Sequence, residues 1–344
     1  MHIKNYELRD MEIQGMPCKN WAGVGIQGMP CKNRPNDRSQ ITKRVKPAFH
    51  YPLMRKLEAC DTFSIFHSPF SILHFLLLAL VLASCIKPLQ QSSDRYVVLS
   101  PEIAEMLACL GVSDRIVGIT AECDYPPELQ NIQSVGNFGQ FSLERIIALN
   151  PSVVFTTALE QNEITAQLNR LNISTYQFYP QSIEEMIAMI DSLGVIVGKE
   201  ATADSLSRYL SDRFEGFRQL SQSRTNKSKV YIEIYGNPIM SADNSSYLGQ
   251  LLEYAGVENI FPSLIRDYAR VNAEDVVILN PDVIILTYPG VSVDDVKNRK
   301  GWGDINAVLN GKIYTIDDVN PDLILRAGAR NIEGIEKLMR IVYE

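Results

Sequence analysis

After Cys85 the chain contains no histidine; all four, His2, His50, His67 and His74, come before it. That absence removes Ser-His-Asp and Cys-His nucleophilic arrangements from the rest of the sequence. It also removes zinc sites built on imidazole and haem ligation by a proximal histidine. Cysteine is nearly as scarce, since only Cys109 and Cys123 follow Cys85 and they form no paired Cys motif. Cys109 sits in Glu102–Leu110, whose apolar positions read as one helix face, so a buried thiol is the expectation. A bridge to Cys123 stays open, because sequence carries no geometry. Basic charge is short as well. Of 33 Lys/Arg and 40 Asp/Glu, 11 and 6 precede Cys85, which leaves 22 basic against 34 acidic side chains, a net of −12. An acidic body lacks the basic face that a nucleic-acid partner demands.

What is present is enough for a large fold. The chain has 344 residues, 46% hydrophobic and 21% charged, which reads as globular with room for two lobes. One apolar run, from Phe70 to Ser84, is shorter than the ~18–20 residues a membrane-spanning helix needs and suits a signal-peptide core. It ends in Leu82-Ala83-Ser84-Cys85, small residues before a cysteine that resemble a bacterial lipoprotein cleavage box. This resemblance implies cleavage before Cys85 and lipidation at that residue; an ordinary secreted protein or a short anchor is the alternative. Met54-Arg55-Lys56 supplies the basic start of such a leader, and Cys85 follows Met54 by 31 residues. Upstream, Ile13–Asn20 is repeated as Ile26–Asn33 without amphipathic period. Translation is therefore expected to start at Met54, with residues 1–53 a non-native or unstructured extension, 54–84 the signal peptide and 85–94 a polar tether to a membrane surface.

A second repeat lies in the body. Glu144–Thr156 recurs as Glu274–Thr287, with Glu, Leu, Asn, Pro and Val in the same order at an offset of 130 residues. Leu107–Val112 is echoed by Leu252–Val257 at an offset of 145. Two echoes at similar offsets imply two lobes built alike, with a cleft as the natural place for a small molecule.

Short apolar strands at Tyr96–Leu99, Ile116–Thr120, Val153–Thr156 and Thr175–Tyr179 alternate with helices, the pattern of a mainly parallel α/β sheet. Ser100 and Pro101 are a plausible N-cap and first helical residue. Ser182–Val197 is expected as a helix closed near Gly198. Lys199 to Ser223 then keeps Leu206, Leu210, Phe214 and Phe217 at helical spacing without proline. At 1.5 Å per residue this helix reaches ~37 Å, enough to bridge two lobes stiffly and limit closure; packing on one sheet is the plainer alternative. The second lobe is expected as strand Val230–Ile234, helix Ser246–Ala255, strands Val283–Leu286 and Lys312–Thr315, and a last helix from about Ala329 to Val342. The lobes are thus assigned to 95–198 and 224–344, joined by a backbone helix at 199–223.

Arg95–Pro101, Leu110–Thr120, Asp124-Tyr-Pro-Pro127, Val135-Gly136, Leu143–Pro151, Gly256–Phe261 and Arg326–Arg330 together resemble the substrate-binding proteins of ABC importers. The group in question handles cobalamin, ferric siderophores and haem and has one long helix as its backbone. The likeness covers nearly all of Tyr96–Glu344 and is nearest to cobalamin-binding proteins. Where relatives often carry Gly-Pro-Arg, this chain has Gly328-Ala329-Arg330; where some have a further tryptophan it has Thr157, and Trp302 is the one tryptophan of the body.

The resemblance implies that one surface glutamate per lobe, Glu144 and Glu274, docks on arginines of the permease. Helix-dipole stabilisation of about 0.3–1 kcal/mol in first turns capped by Ser142 and Asn272 is the purely structural alternative. Ligand contacts are expected on loops after strands, at Tyr125, Phe138, Thr157, Tyr235, Tyr268, Arg270 and Tyr288, with Thr156 and Asn237 as further candidates. Tyrosines offer apolar faces and hydroxyl handles that suit a corrin. Arg270 and Arg326 would pair with carboxylates of haem or a siderophore, or with Asp317 or Asp318. The implied protein is a monomeric, lipid-anchored capture protein on the periplasmic or extracellular face of the cell envelope. It has no cofactor of its own, no metal site and no enzymatic step, and hands cobalamin or a related corrinoid, or else a ferric siderophore or haem, to a permease dimer with its ATPase subunits. An alternative from another class is a two-lobed metal-cluster or chelatase-like enzyme, against which the lack of histidine and paired cysteines counts.

Overall fold

The computed structural model describes residues 94–157 and 159–344. Cys85, residues 1–53, the leader 54–84 and the tether as far as residue 93 lie outside the described residues. Among the described residues no helix is long and apolar enough to cross a membrane. In chain order the strands are β1 Tyr96–Val98, β2 Ile116–Thr120, β3 Ser134–Asn137, β4 Gln140–Phe141, β5 Val153–Thr156, β6 Ser174–Gln177, β7 Lys229–Glu233, β8 Tyr235–Gly236, β9 Ile239–Ala242, β10 Glu258–Asn259, β11 Tyr268–Arg270, β12 Val283–Leu286 and β13 Ile313–Tyr314. The first lobe is built on a six-stranded sheet, β4-β3-β2-β1-β5-β6. It is parallel except for the β3–β4 pair. The second has a parallel sheet, β10-β7-β12-β13, and a separate antiparallel one, β11-β9-β8. Two α/β lobes with mainly parallel sheets is the architecture the strand–helix alternation led us to expect.

The body repeat has a common structural cause. Helices Leu143–Ala148 and Ala273–Leu279 both run into an asparagine, Asn150 or Asn280, at φ 47°. Asparagine tolerates this left-handed conformation better than most residues, and the following proline forbids more helix. The next residue then fixes the strand register in the same way in each lobe. Ser152 N–H donates to the Arg95 carbonyl (2.8 Å) and Ser152 Oγ accepts from Arg95 N–H (2.9 Å). Asp282 N–H donates to the Lys229 carbonyl (2.8 Å) and its Oδ2 accepts from Lys229 N–H (3.0 Å). The weaker echo is also structural. Helices Pro101–Cys109 and Tyr247–Tyr254 are capped by Ser100 and Ser246, and end at Gly111 (φ 74°) and Gly256 (φ 73°).

Helix Glu200–Ser223 buries Leu206, Leu210, Phe214 and Phe217 along one face. At 1.5 Å per residue it is about 36 Å long. Helix Ile183–Val197 turns into it through Gly198 at φ 68°, and packs so closely that a Cβ on Gly194 would lie 2.3 Å from that of Ala203. One continuous apolar core contains Val98 and Ile119 of the first sheet, Val230 and Ile285 of the second, and Ile190, Leu206 and Phe214 between them. A shared core of this kind resists independent lobe movement.

One expectation needs correction. The second lobe does not pass straight from its first strand to a helix at Ser246, but inserts the β8–β9 hairpin and later adds β11. Two-residue strands interrupted by Gly236 and Pro238 leave almost no alternating pattern to read. Cys109 is the buried thiol its helix face led us to expect, and the open question of a bridge closes: Cys123 is a buried thiol too.

Candidate functional site

The C-terminal ends of the parallel strands carry most of the residues expected to meet a ligand. In the first lobe, Tyr125 lies half-buried in the loop after β2, with the guanidinium of Arg330 3.9 Å from its ring centroid. Phe138, 45% exposed, forms the tip of the β3–β4 hairpin. Its N–H donates to Glu122 Oε2 (3.0 Å), so the Tyr125 loop also anchors the Phe138 hairpin. At the end of β5, Thr156 and Thr157 are 0% and 2% exposed and offer the least surface. Thr156 Oγ1 accepts from the Thr165 hydroxyl (3.2 Å) and Thr157 N–H donates to Gln161 Oε1 (2.9 Å). Among the described residues the Thr157 hydroxyl has no hydrogen-bond partner.

The second lobe gathers its candidates more tightly. Strand β9 pairs Tyr235 with Met240 on one side and Arg270 with Met240 on the other. Directly paired residues point to the same face with Cβ atoms about 4.5–5.5 Å apart. Tyr235, Met240 and Arg270 therefore form a row, with Tyr268 and Ala242 behind it. The opposite face is buried at Ser241 and Ala269, and the row's own face is open only at its Tyr235–Arg270 end, since Ala242 is buried as well. Tyr235 is 52% exposed and Arg270 is exposed, so the row is an open aromatic and thioether shelf ending in a cation. Asn237 is exposed in the turn between β8 and β9.

Beside the shelf, the Tyr288 ring lies 6.2 Å from that of Tyr235, tilted by 52°. Gly236 allows this approach, since a Cβ there would sit 2.3 Å from the Tyr288 hydroxyl oxygen. Below lies Glu233, fully buried. It accepts from Arg299 Nη1 (2.6 Å) and Nη2 (2.7 Å), from the Tyr231 hydroxyl (2.9 Å) and from the Tyr288 hydroxyl. Arg299 also lies over Trp302, 4.6 Å from its ring centroid. Burial, with the Glu233 hydrogen bond and charge, pushes the Tyr288 hydroxyl up to about 12. Burial opposes the charge on Arg299, but Glu233 more than offsets it and the guanidinium pKa is raised. The floor of this wall is thus charge-balanced, and Tyr288 stays a neutral phenol.

Arg326 is not available to a ligand in the way its position suggested. It pairs with Glu105 (2.9 Å), Asp124 (3.0 Å) and Asp322 (3.1 Å) rather than with Asp317 or Asp318. The two docking candidates are exposed and sit in equivalent first turns. Each helix feeds a parallel strand and so runs antiparallel to it, which puts Glu144 and Glu274 toward the same sheet edge as the ligand candidates. Ser142 does cap its helix, and its hydroxyl also donates to Glu144 Oε2 (3.1 Å). A backbone N–H and then this hydroxyl hold the Glu144 carboxyl below its ordinary pKa. Asn272 holds the N-cap position but accepts no backbone bond there; its amide donates to Asp275 instead (2.9 Å).

Sequence reasoning passed over Met240, Glu233, Arg299, Glu105 and Arg330. A single signal was legible: a carboxylate ending the apolar strand Val230–Ile234 needs a partner. Among the described residues no group of three His, Cys, Asp or Glu side chains could hold a metal ion.

A large part of the chain, residues 97–333, matches the periplasmic binding protein family. The chain is 28% identical over 262 residues to YvrC, an ABC transporter substrate-binding lipoprotein of Bacillus subtilis (strain 168), covering 74% of this chain and 82% of that protein. It is 25% identical over 262 residues to the vitamin B12-binding protein of Photorhabdus laumondii, covering 76% and 92% of the two chains. Its fold is that of the periplasmic heme-binding protein RhuT from Roseiflexus sp. RS-1, with a TM-score of 0.67 at 22% identity over 73% of this chain and 98% of that one. The chain therefore belongs to the periplasmic binding protein family, in the substrate-binding class of ABC importers.

Proposed function

We propose that this protein captures cobalamin or a related corrinoid outside the cytoplasm and delivers it to an ABC permease, tethered to the membrane through a lipid on Cys85. The observation that carries the ligand class is the shelf of Tyr235, Met240, Arg270 and Tyr268 beside Tyr288. Aromatic and thioether side chains side by side give the face of a macrocycle apolar contact without demanding a charged partner. Tyr125 and Phe138 supply the matching contacts from the first lobe, and Glu144 and Glu274 are one docking foot per lobe. The work is binding and delivery, and no side chain is assigned a chemical step. The named cobalamin-binding relative supports the corrinoid over other macrocycles.

One observation favours a second reading. Arg270, exposed at the end of the shelf, would pair with a peripheral carboxylate, as haem or a carboxylate siderophore offers. Calorimetric titration with cyanocobalamin, haemin and a ferric carboxylate siderophore separates the two. Cyanocobalamin is expected to bind with submicromolar affinity. No heat with cyanocobalamin alongside submicromolar binding of another ligand overturns the corrinoid assignment.

A further inference from the structure

Two arginines between β13 and the last helix, Asn331–Tyr343, reach from the second lobe into the first. Both end on Glu105, a carboxylate 5% exposed in helix Pro101–Cys109. Arg330 binds it with two parallel hydrogen bonds, Nε to Oε2 (2.7 Å) and Nη2 to Oε1 (2.6 Å). Arg326 Nη1 shares Oε1 (2.9 Å) and also reaches Asp124 Oδ1 (3.0 Å), while its Nη2 donates to the Glu122 carbonyl (3.1 Å). A guanidinium fixed in a fork by a carboxylate keeps its plane, and that plane is what lies over the Tyr125 ring.

The contacts therefore converge on one loop, residues 121–126. Arg326 holds its backbone at Glu122 and its side chain at Asp124; Arg330 covers Tyr125; and the Glu122 carboxylate passes the restraint on to the backbone of Phe138. Both aromatic residues that the first lobe contributes to the proposed ligand site depend on this loop. We infer that Arg326 and Arg330 are positioning residues: joined on Glu105, they set the first-lobe half of the ligand site from the second lobe. This rests on the reading of Tyr125 and Phe138 as ligand contacts. Capture then meets a preformed aromatic pair, and the ordering entropy is spent in folding instead of in binding.

The role is tested in two arms. In the unliganded protein, Arg330→Met is expected to speed hydrogen exchange about tenfold in segments 121–126 and 137–140, leaving β5 and helix Glu200–Ser223 unchanged. Arg330→Lys keeps a charge near Glu105 but loses the flat fork, and is expected to fall between the two. Unchanged exchange in the two segments, or a uniform rise over the whole protein, would overturn the inference. The second arm titrates cyanocobalamin into Tyr125→Leu, Arg330→Met and the double variant. Arg330→Met alone should weaken binding about fivefold, and less than about twofold once Tyr125 is already leucine. The same fivefold loss in both backgrounds would show that Arg330 does not act through Tyr125. A wild-type protein that binds no cyanocobalamin refutes the corrinoid reading, while the exchange arm still decides the positioning role.

Discussion

At the end of the central strand, the two lobes place opposite residues in the same frame. Strand β1 pairs Val98 with Phe155 and β7 pairs Ile232 with Ile285, so Leu99 and Glu233 are equivalents. Both are completely buried. In the first lobe an apolar side chain closes the core, Gln161 Nε2 donates to the Leu99 carbonyl (2.7 Å), and Ser100 starts a helix at once. In the second lobe a carboxylate at that point collects Tyr231, Tyr288 and Arg299, and the chain turns out into the β8–β9 hairpin. Duplication of a scaffold thus leaves room for division of labour. One lobe supplies loops that must be held from outside, the other a wall that holds itself.

The proposed docking feet should show where the lobes remain alike. Glu144→Ala combined with Glu274→Ala is expected to abolish ligand uptake in a transport assay. Ligand affinity should be unchanged, and the circular dichroism spectrum should be that of the folded wild type. Lost ligand binding would contradict the docking assignment. Next in size is the buried carboxylate. Glu233→Leu gives the second lobe the residue of the first but strands Arg299, and should cost about 3–5 kcal/mol in denaturant unfolding. Adding Arg299→Met should recover most of it; an equal loss in single and double variants would mean the pair is not the cause.

Thr157 and Thr287 follow β5 and β12 at equivalent places, 2% and 5% exposed. Thr287 Oγ1 donates to the Glu233 carbonyl (3.2 Å), whereas the Thr157 hydroxyl has no partner among the described residues. Thr287→Val should therefore destabilise by about 1 kcal/mol, and Thr157→Val should be neutral or stabilising by a similar amount. Equal signs for the two would break the comparison.

The smallest effect concerns thiols, which among the described residues mark the first lobe alone. Burial pushes Cys123 up to about 11. A folded pKa above the unfolded value contributes stability below the ordinary thiol pKa, and this is lost as pH rises toward 11. At pH near 8 the native thiol should resist alkylation. Since one core runs through both lobes, labelling of Cys123 should become fast only at the denaturant midpoint seen by circular dichroism. Earlier labelling would mean that the first lobe opens by itself.

Much of this fold was legible because its elements are local. Strands Ile116–Thr120, Val153–Thr156 and Val283–Leu286 are short apolar runs bounded by polar or turn residues, and the structure has them at those limits. The caps at Ser100, Ser142, Ser182 and Ser246 follow from a hydroxyl before an apolar period. The antiparallel sheet was not legible, since its register comes from pairing Met240 with residues on two other strands. The same holds for the site. Tyrosines after strands can be named from sequence, but Glu233–Arg299 and Glu105–Arg330 join residues 66 and 225 positions apart, and no local pattern announces such pairs.

The cargo is expected on the shelf between Tyr235 and Arg270, facing Tyr125 and Phe138 of the first lobe. The second lobe also has an open cavity of about 510 Å³, lined by Lys227 and Lys229 at the start of β7, by Glu258 and Asn259 of β10, and by Pro262 and Asn244. Hydrogen-exchange footprinting with bound cyanocobalamin distinguishes the two places. Protection is expected in segments 121–126, 137–140, 235–242 and 268–270. Protection confined to 227–229 and 257–262 would contradict that placement.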